Sequence, residues 1–369
     1  KLNSLNIGRD SNKLRVKSWI DFHHLNSNYD LSENHFLIGA HSGWLILDEE
    51  FLGTFELDIN SVNAPETLII NENNIIQSSN LRNRSSGIIR LNPHIYSRKN
   101  NLIVKAGLSI QANINDKAKF HIFPDLELSY SLFNNVFIPY GGWVGNVQRN
   151  TFNNIRLENP FISEDANLQN TIQKSNLFAG VRGSLSSKFT FNLSASFQKF
   201  DSMYFFTPDN ISSYGNKFQM TFDNLSQTSF MGEITYQDSE KLKVSAKGEY
   251  FIFDPLNELF AWQKPEFLIT LSALLDLSDK IIVKSDIYLV GKRTVFSHHE
   301  PLISNSFEDG KYVYNLSPLI DMNLSAEYRY NKKVSGFIQF NNFIGRKYQY
   351  WSNFPVQSIN ILGGVTFSF

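Results

Sequence analysis

The sequence predicts an all-β fold: a transmembrane, antiparallel, up-and-down β-barrel of about 16 strands, within a range of about 14 to 18. Three observations predict it. Side chains alternate apolar and polar at a period of two along most of the chain. Aromatic residues make up 14% of the 369 residues while only 19% are charged. Connections alternate, with one exception, between short and long.

The alternation is clearest at Phe189–Gln198, where Phe189, Phe191, Leu193, Ala195 and Phe197 share one face and Thr190, Asn192, Ser194, Ser196 and Gln198 the other. A strand turns successive side chains to opposite faces, so lipid-facing and lumen-facing residues alternate in a membrane barrel. Residues 102–111, 242–250 and 321–330 repeat the pattern, and helical spacing fits none of these windows. Soluble sandwiches also alternate, but their strands are usually nearer to about 5–6 residues, whereas these run to about 11–14. Hydrophobic residues reach 42%, yet mean hydropathy is −0.25, so apolar residues are interleaved rather than gathered into spans.

Tight polar turns are read at Asp48–Glu50, Ser97–Asn100, Asn134–Asn135, Ser186–Lys188, Asp238–Lys241, Asp279–Lys280 and Asn331–Lys333. Longer connections are read at Asn26–Asn34, Ala64–Ser85, Asn150–Lys174, Ser202–Leu225, Asp254–Gln263, Ser297–Tyr312 and Lys347–Val356. The short link at Asn115–Lys117 is the exception. Short turns facing the periplasm and long loops facing outwards place both chain ends on the periplasmic side. Residues 13–369 form the barrel, and residues 1–12 form an N-terminal segment in which 2–10 is a candidate extra strand. Because the chain opens at Lys1 without Met or a signal peptide, a mature or trimmed product is expected. Pro93, Pro124 and Pro139 fall inside strands, where each predicts a bulge or break, and Gly141, Gly142 and Gly145 follow as a bend or a place of close approach.

Net charge is −1 and cysteine is absent. The first argues against a nucleic-acid partner; the second removes disulfides and thiolate chemistry. With eight His and neither a G-x-S-x-G nor an H-E-x-x-H motif, no enzyme activity and no cofactor are expected. Ser297-His298-His299-Glu300 is a weak metal candidate, since adjacent side chains of an extended chain point apart. His23-His24 lies at a strand end, where interfacial placement is expected. The lumen face is read as Lys105, Asp125, Glu127, Arg182, Lys243, Lys247, Glu249, Asp276, Lys284, Asp286, Glu327 and Arg329, either an ion-selective constriction or a network of ion pairs. Phe178, Leu268, Leu274 and Tyr288 are bulky residues on that face. The Asn- and Ser-rich loops, 153–170 among them, either fold inwards as a constriction or stay solvated.

The closing residues Ile359–Phe369 put Ile361, Val365, Phe367 and Phe369 on one face. This ending resembles the C-terminal signal read by the barrel-assembly machinery of Gram-negative bacteria, carried by Val365, Phe367 and Phe369. Residues Val334–Trp351, with Phe354-Pro355 and the last strand, resemble the end of TonB-dependent receptor barrels. Phe120–Asp125, Phe137–Tyr140 and Gly183–Ser186 resemble a TonB-dependent-receptor-like family of Bacteroidota, and the resemblance covers most of the chain from about residue 13. It implies the outer membrane of a Gram-negative bacterium, with outer-membrane lipid and the assembly machinery as partners. Such receptors also carry a plug, a TonB box and 22 strands, for which this chain has no room. The expected function is therefore passive or partner-gated transport of a small polar solute. The alternative is a non-transporting accessory barrel subunit of a larger outer-membrane complex, serving assembly, secretion or nutrient uptake. Transport predicts a continuous aqueous path; the accessory role predicts a blocked one.

Overall fold

Residues that alternate in this way form long strands, and among the described residues of the computed structural model there are sixteen. It describes residues 2–3, 15–28, 31–46, 49–64, 68–70, 76–78, 82–115, 117–209, 213, 215–278, 280–297, 306–308 and 311–368. The strands are β1 (Arg15–Asn26), β2 (Ser32–Ile46), β3 (Glu49–Ala64), β4 (Arg82–Lys99), β5 (Leu102–Ile114), β6 (Ala118–Tyr130), β7 (Ile138–Gln148) and β8 (Thr171–Ser184). They continue as β9 (Phe189–Pro208), β10 (Phe218–Asp238), β11 (Leu242–Pro255), β12 (Phe267–Leu277), β13 (Ile281–Val290), β14 (Leu319–Arg329), β15 (Val334–Asn341) and β16 (Asn360–Phe367). Each pairs antiparallel with the next, and the two-residue strand Leu2–Asn3 joins β1 to make a 17-stranded sheet. The rest of the candidate strand at 2–10 lies outside the described residues.

The sequence-read turns fall at one end of this meander and the long connections at the other. Asn100, Asn134 and Asn135 take positive φ, of 52°, 55° and 70°, a conformation that asparagine tolerates better than most residues. The link between β5 and β6 is short, as the sequence indicates. The connection at Asn26–Asn34 is shorter than expected, because β1 reaches Asn26 and β2 starts at Ser32.

Ser202–Leu225 is not a long loop. β9 and β10 run on as a paired hairpin to Pro208 and Phe218, with a register shift between Phe200 and Met203. Period two fails there because both faces are covered: Phe206 packs in one buried cluster and Phe205 in another. The connection after β13 holds a three-stranded sheet of Arg293–Ser297, Ser306–Glu308 and Lys311–Leu316. Gln349–Trp351 and Phe354–Pro355 pair in the last connection, and Leu68–Ile70 with Ile76–Ser78 in the one after β3.

Of the bulge or break expected at each proline, the structure shows a break in pairing on one side and no bulge. Pro93 and Pro124 keep register with Gly53 and Leu108 on one side, while on the other side the described pairing skips Pro93 and stops at Asp125. A proline has no N–H to offer, so an unpaired side is where it fits. The nearby register shift falls instead between Val144 and Asn146. Gly145 sits in it, and a Cβ there would lie 2.6 Å from the Phe123 ring.

Gly142 is crowded in the same way: a Cβ would lie 2.5 Å from the Leu126 carbonyl oxygen and 2.6 Å from the Phe178 ring. The carbonyl belongs to a paired strand and cannot give. Gly142→Val should therefore cost about 1–3 kcal/mol, read as a lower unfolding midpoint of the heat-modifiable band on electrophoresis.

Candidate functional site

Residues opposite each other across a ladder share a face, so the register sorts the whole sheet. One face carries large apolar residues open to the surroundings, including Phe22, Leu108, Ile122, Leu193, Phe197 and Ile361. The other face is polar. Following the pairs from Lys105↔Glu127 through Glu127↔Gly142, Gly142↔Phe178, Arg182↔Asn192, Asn192↔Glu233, Glu233↔Lys247, Lys247↔Thr270, Thr270↔Tyr288 and Tyr288↔Asp321 keeps to it. All twelve charged residues singled out in the sequence lie on this face, as do Phe178, Leu268, Leu274 and Tyr288.

Several of the twelve pair. Lys105 Nζ lies 2.7 Å from Asp125 and 3.1 Å from Glu127. Lys247 pairs with Glu249 at 3.0 Å, and Arg329 with Glu327 at 3.4 Å. Asp286 accepts from Ser272 at 2.6 Å, and Arg182 lies over the Tyr140 ring. Lys243 and Lys284 flank Leu274 in the register, with Asp276 two residues further along β12. Val365 and Phe367 lie on the apolar face, exposed; Phe369 is outside the described residues. So are His298, His299 and Glu300, and among the described residues no three metal-type ligands converge.

A more buried centre lies elsewhere on the polar face. Between β7 and β8 the chain does not stay in solvent: residues 149–170 lie against the polar face near the loop ends of the strands. Arg149 donates from Nε to Asp58 Oδ1 at 2.9 Å, from Nη2 to the Asp58 carbonyl at 3.0 Å, and from Nη1 to Ser86 Oγ at 2.6 Å. Arg90 reaches the other Asp58 oxygen at 3.3 Å and the Val147 carbonyl at 3.1 Å. The side chains of Arg149 and Asp58 are 6% and 4% exposed. Burial lowers the pKa of Arg149, and the Asp58 carboxylate beside it opposes that shift.

A short helix, α1 (Phe152–Glu158), follows. Its free amides find three acceptors. The buried Glu33 carboxylate accepts from Phe152 N at 2.9 Å and Asn153 N at 3.0 Å, and the N-cap Thr151 hydroxyl accepts from Asn154 N at 3.1 Å. A carboxylate suits the positive end of a helix, and the first amides of a helix need outside partners. Asn60 donates to the same carboxylate at 2.9 Å.

Phe152 and Ile155 of the helix and Ile162 and Ala166 after it share one buried cluster with Leu31 before β2, Val62 of β3, Phe206, Phe218 and Met220 of the β9–β10 hairpin, and Trp351 before β16. Elements from the beginning, middle and end of the sheet thus meet around this segment, so the sheet curls about it. Ile162 bridges Phe218, Gln219 donates to Asp165, and Glu164 pairs with Arg156 and Lys217.

Glu33, His35, Asp58, Arg90 and Arg149 are missing from the sequence-derived set. Asp58 was within reach, since Glu56, Asp58 and Asn60 alternate with Phe55, Leu57 and Ile59. Arg149, 91 residues away, gives no sequence signal for its partner.

No family model and no curated protein matches the chain. Solved structures do. The FrpB iron transporter from Neisseria meningitidis aligns with a TM-score of 0.66 at 10% identity, over 96% of this chain and 60% of that one. The copper transporter OprC gives 0.63 at 10% identity, over 96% and 61%. The pyoverdine outer membrane receptor FpvA from Pseudomonas aeruginosa gives 0.60 at 11% identity, over 96% and 58%. These are TonB-dependent receptors of Gram-negative outer membranes. The likeness is one of fold, it extends over nearly the whole chain, and the chain spans about three fifths of their length.

Removing one member of a buried ion pair strands the others, at a cost of about 3–5 kcal/mol. Asp58→Ala should therefore release residues 149–170. Limited trypsin digestion of the folded protein, read by mass spectrometry, should show faster cleavage after Arg149 and Arg156 while the heat-modifiable band persists.

Proposed function

We propose that the sixteen strands close into one barrel in the outer membrane of a Gram-negative bacterium, and that this barrel is a gated transporter of a small polar solute. The observation that carries the reading is the segment 149–170, clasped to the polar face by Glu33 and Asp58. Closure is supported by the curl of the sheet around that segment and by the fold of the receptors it resembles. A barrel with both ends periplasmic turns this end outwards, so the segment crosses the external mouth. The charged pairs of Lys105, Lys247 and Arg329 then line the space below it.

The clasp is polar and local, and that suits a gate. Its donors and acceptors can be exchanged for those of a solute or of a partner protein, whereas a purely apolar plug offers nothing to exchange. FpvA was solved with bound pyoverdine and OprC is named a copper transporter, so the fold is used for passage of solutes. The same filled mouth also favours the second reading, an accessory barrel subunit of a larger outer-membrane complex that conducts nothing.

Single-channel recording in planar bilayers separates the two. Wild-type protein should show brief, infrequent openings, and Arg149→Ala should lengthen them into a steady ion-selective current. Silence from both proteins, each shown to be folded by heat-modifiability, would reject transport and leave the accessory role.

A further inference from the structure

Five of the chain's eight histidines share the polar face of the first six strands: His23 on β1, His35 and His41 on β2, His94 on β4 and His121 on β6. The interfacial placement expected of His23 is therefore corrected. Its neighbour His24 turns to the opposite face, bonded to Asn34 at 2.9 Å. His23 stands directly across the ladder from His35.

The two rings are tilted, with their planes at 49° and their centroids 4.7 Å apart. Nδ1 of His23 lies 3.3 Å from Nδ1 of His35. The remaining ring nitrogens face carboxylates: His35 Nε2 is 3.0 Å from Asp58 Oδ1, and His23 Nε2 is 3.9 Å from Glu33 Oε2. Both carboxylates are already surrounded by N–H donors, from Arg149 and Arg90 at Asp58 and from Phe152, Asn153 and Asn60 at Glu33.

Proton placement follows from these partners. An ionised carboxylate only accepts, so each Nε2 facing one is best protonated. Both Nδ1 atoms are then bare, 3.3 Å apart. If His23 instead protonates Nδ1 and donates to His35, its Nε2 is left bare and buried against Glu33, where no hydrogen-bond partner reaches it. A cation between the two Nδ1 atoms resolves both conflicts.

We propose that His23 and His35 bind a divalent transition-metal ion of the zinc class through their Nδ1 atoms. Two imidazoles at about 2.0–2.1 Å from a tetrahedral ion have their nitrogens about 3.3 Å apart. A carboxylate behind a metal-bound ring fixes its tautomer and strengthens the ligand; Asp58 stands so behind His35 at 3.0 Å, and the Glu33 charge lies 3.9 Å from His23 Nε2. Imidazole suits zinc, copper and nickel better than calcium or magnesium. With two protein ligands the coordination is completed by water, so the ion is exchangeable. The side chains of His23 and His35 are 28% and 14% exposed, which leaves a way in. The site needs only the folded sheet and stands whether or not the barrel conducts.

The test uses the full chain, folded in detergent, stripped with a chelator and titrated with zinc chloride by calorimetry. One zinc per chain is expected. His23→Asn and His35→Asn should each weaken binding by at least about tenfold, with heat-modifiability retained, while a His298→Asn/His299→Asn double variant should bind as wild type does. X-ray absorption of zinc-loaded wild-type protein should show two imidazole nitrogens per zinc, a readout independent of the variants' folding. Absence of zinc binding by wild-type protein, affinity unchanged in both single variants, or affinity lost only in the double variant would each overturn the assignment.

Discussion

Antiparallel pairing at fixed register is the constraint on which everything else in this molecule rests. A slip of one residue moves every side chain of a strand to the other face. Here most pairings run without a shift, so a single polar surface is continuous from Lys17 on β1 to Thr366 on β16. The three register shifts within the large sheet, at Val144/Asn146, Gln173/Ser175 and Phe200/Met203, fall in β7, β8 and β9, the strands next to the inserted segment. They are where the sheet departs from a uniform wall to receive residues 149–170 and the projecting β9–β10 hairpin.

Once the polar face is continuous, its charges must be satisfied across it, and Asp58 shows how. One carboxylate takes Arg149 from the inserted segment, Arg90 from β4 and His35 from β2. Glu33, two residues from His35 on the same face, takes the start of α1. The segment is thus held by buried polar bonds at Arg149 and the start of α1 and by the aromatic and aliphatic cluster to which Phe152, Ile155, Ile162 and Ala166 belong.

The same arrangement gives the histidine pair its character. Glu33 and Asp58 are positioned by what the inserted segment brings to them, and the oxygens that take Asn153 and Arg149 are also the ones nearest His23 and His35. A change in the position of the segment would therefore be felt at the two rings, since each carboxylate serves both. The proposed gate and the proposed cation site share their acidic residues, Glu33 and Asp58.

The sequence by itself determined the strand alternation, the turn end and loop end, the count of about sixteen strands, and the face on which Lys105, Glu127, Lys247 and Arg329 lie. These follow from local chemistry: a period of two, polar turn residues, and side chains that read the same in any antiparallel sheet with one polar and one apolar face. Only the tertiary structure decided that Ser202–Leu225 is a paired hairpin, that residues 149–170 turn inwards, and that Asp58, Arg149, Glu33, His23 and His35 form one centre. Those contacts join residues up to 120 positions apart, and they form because burial behind an inserted segment favours the pairing of charged groups. No local pattern records which distant residue that partner is.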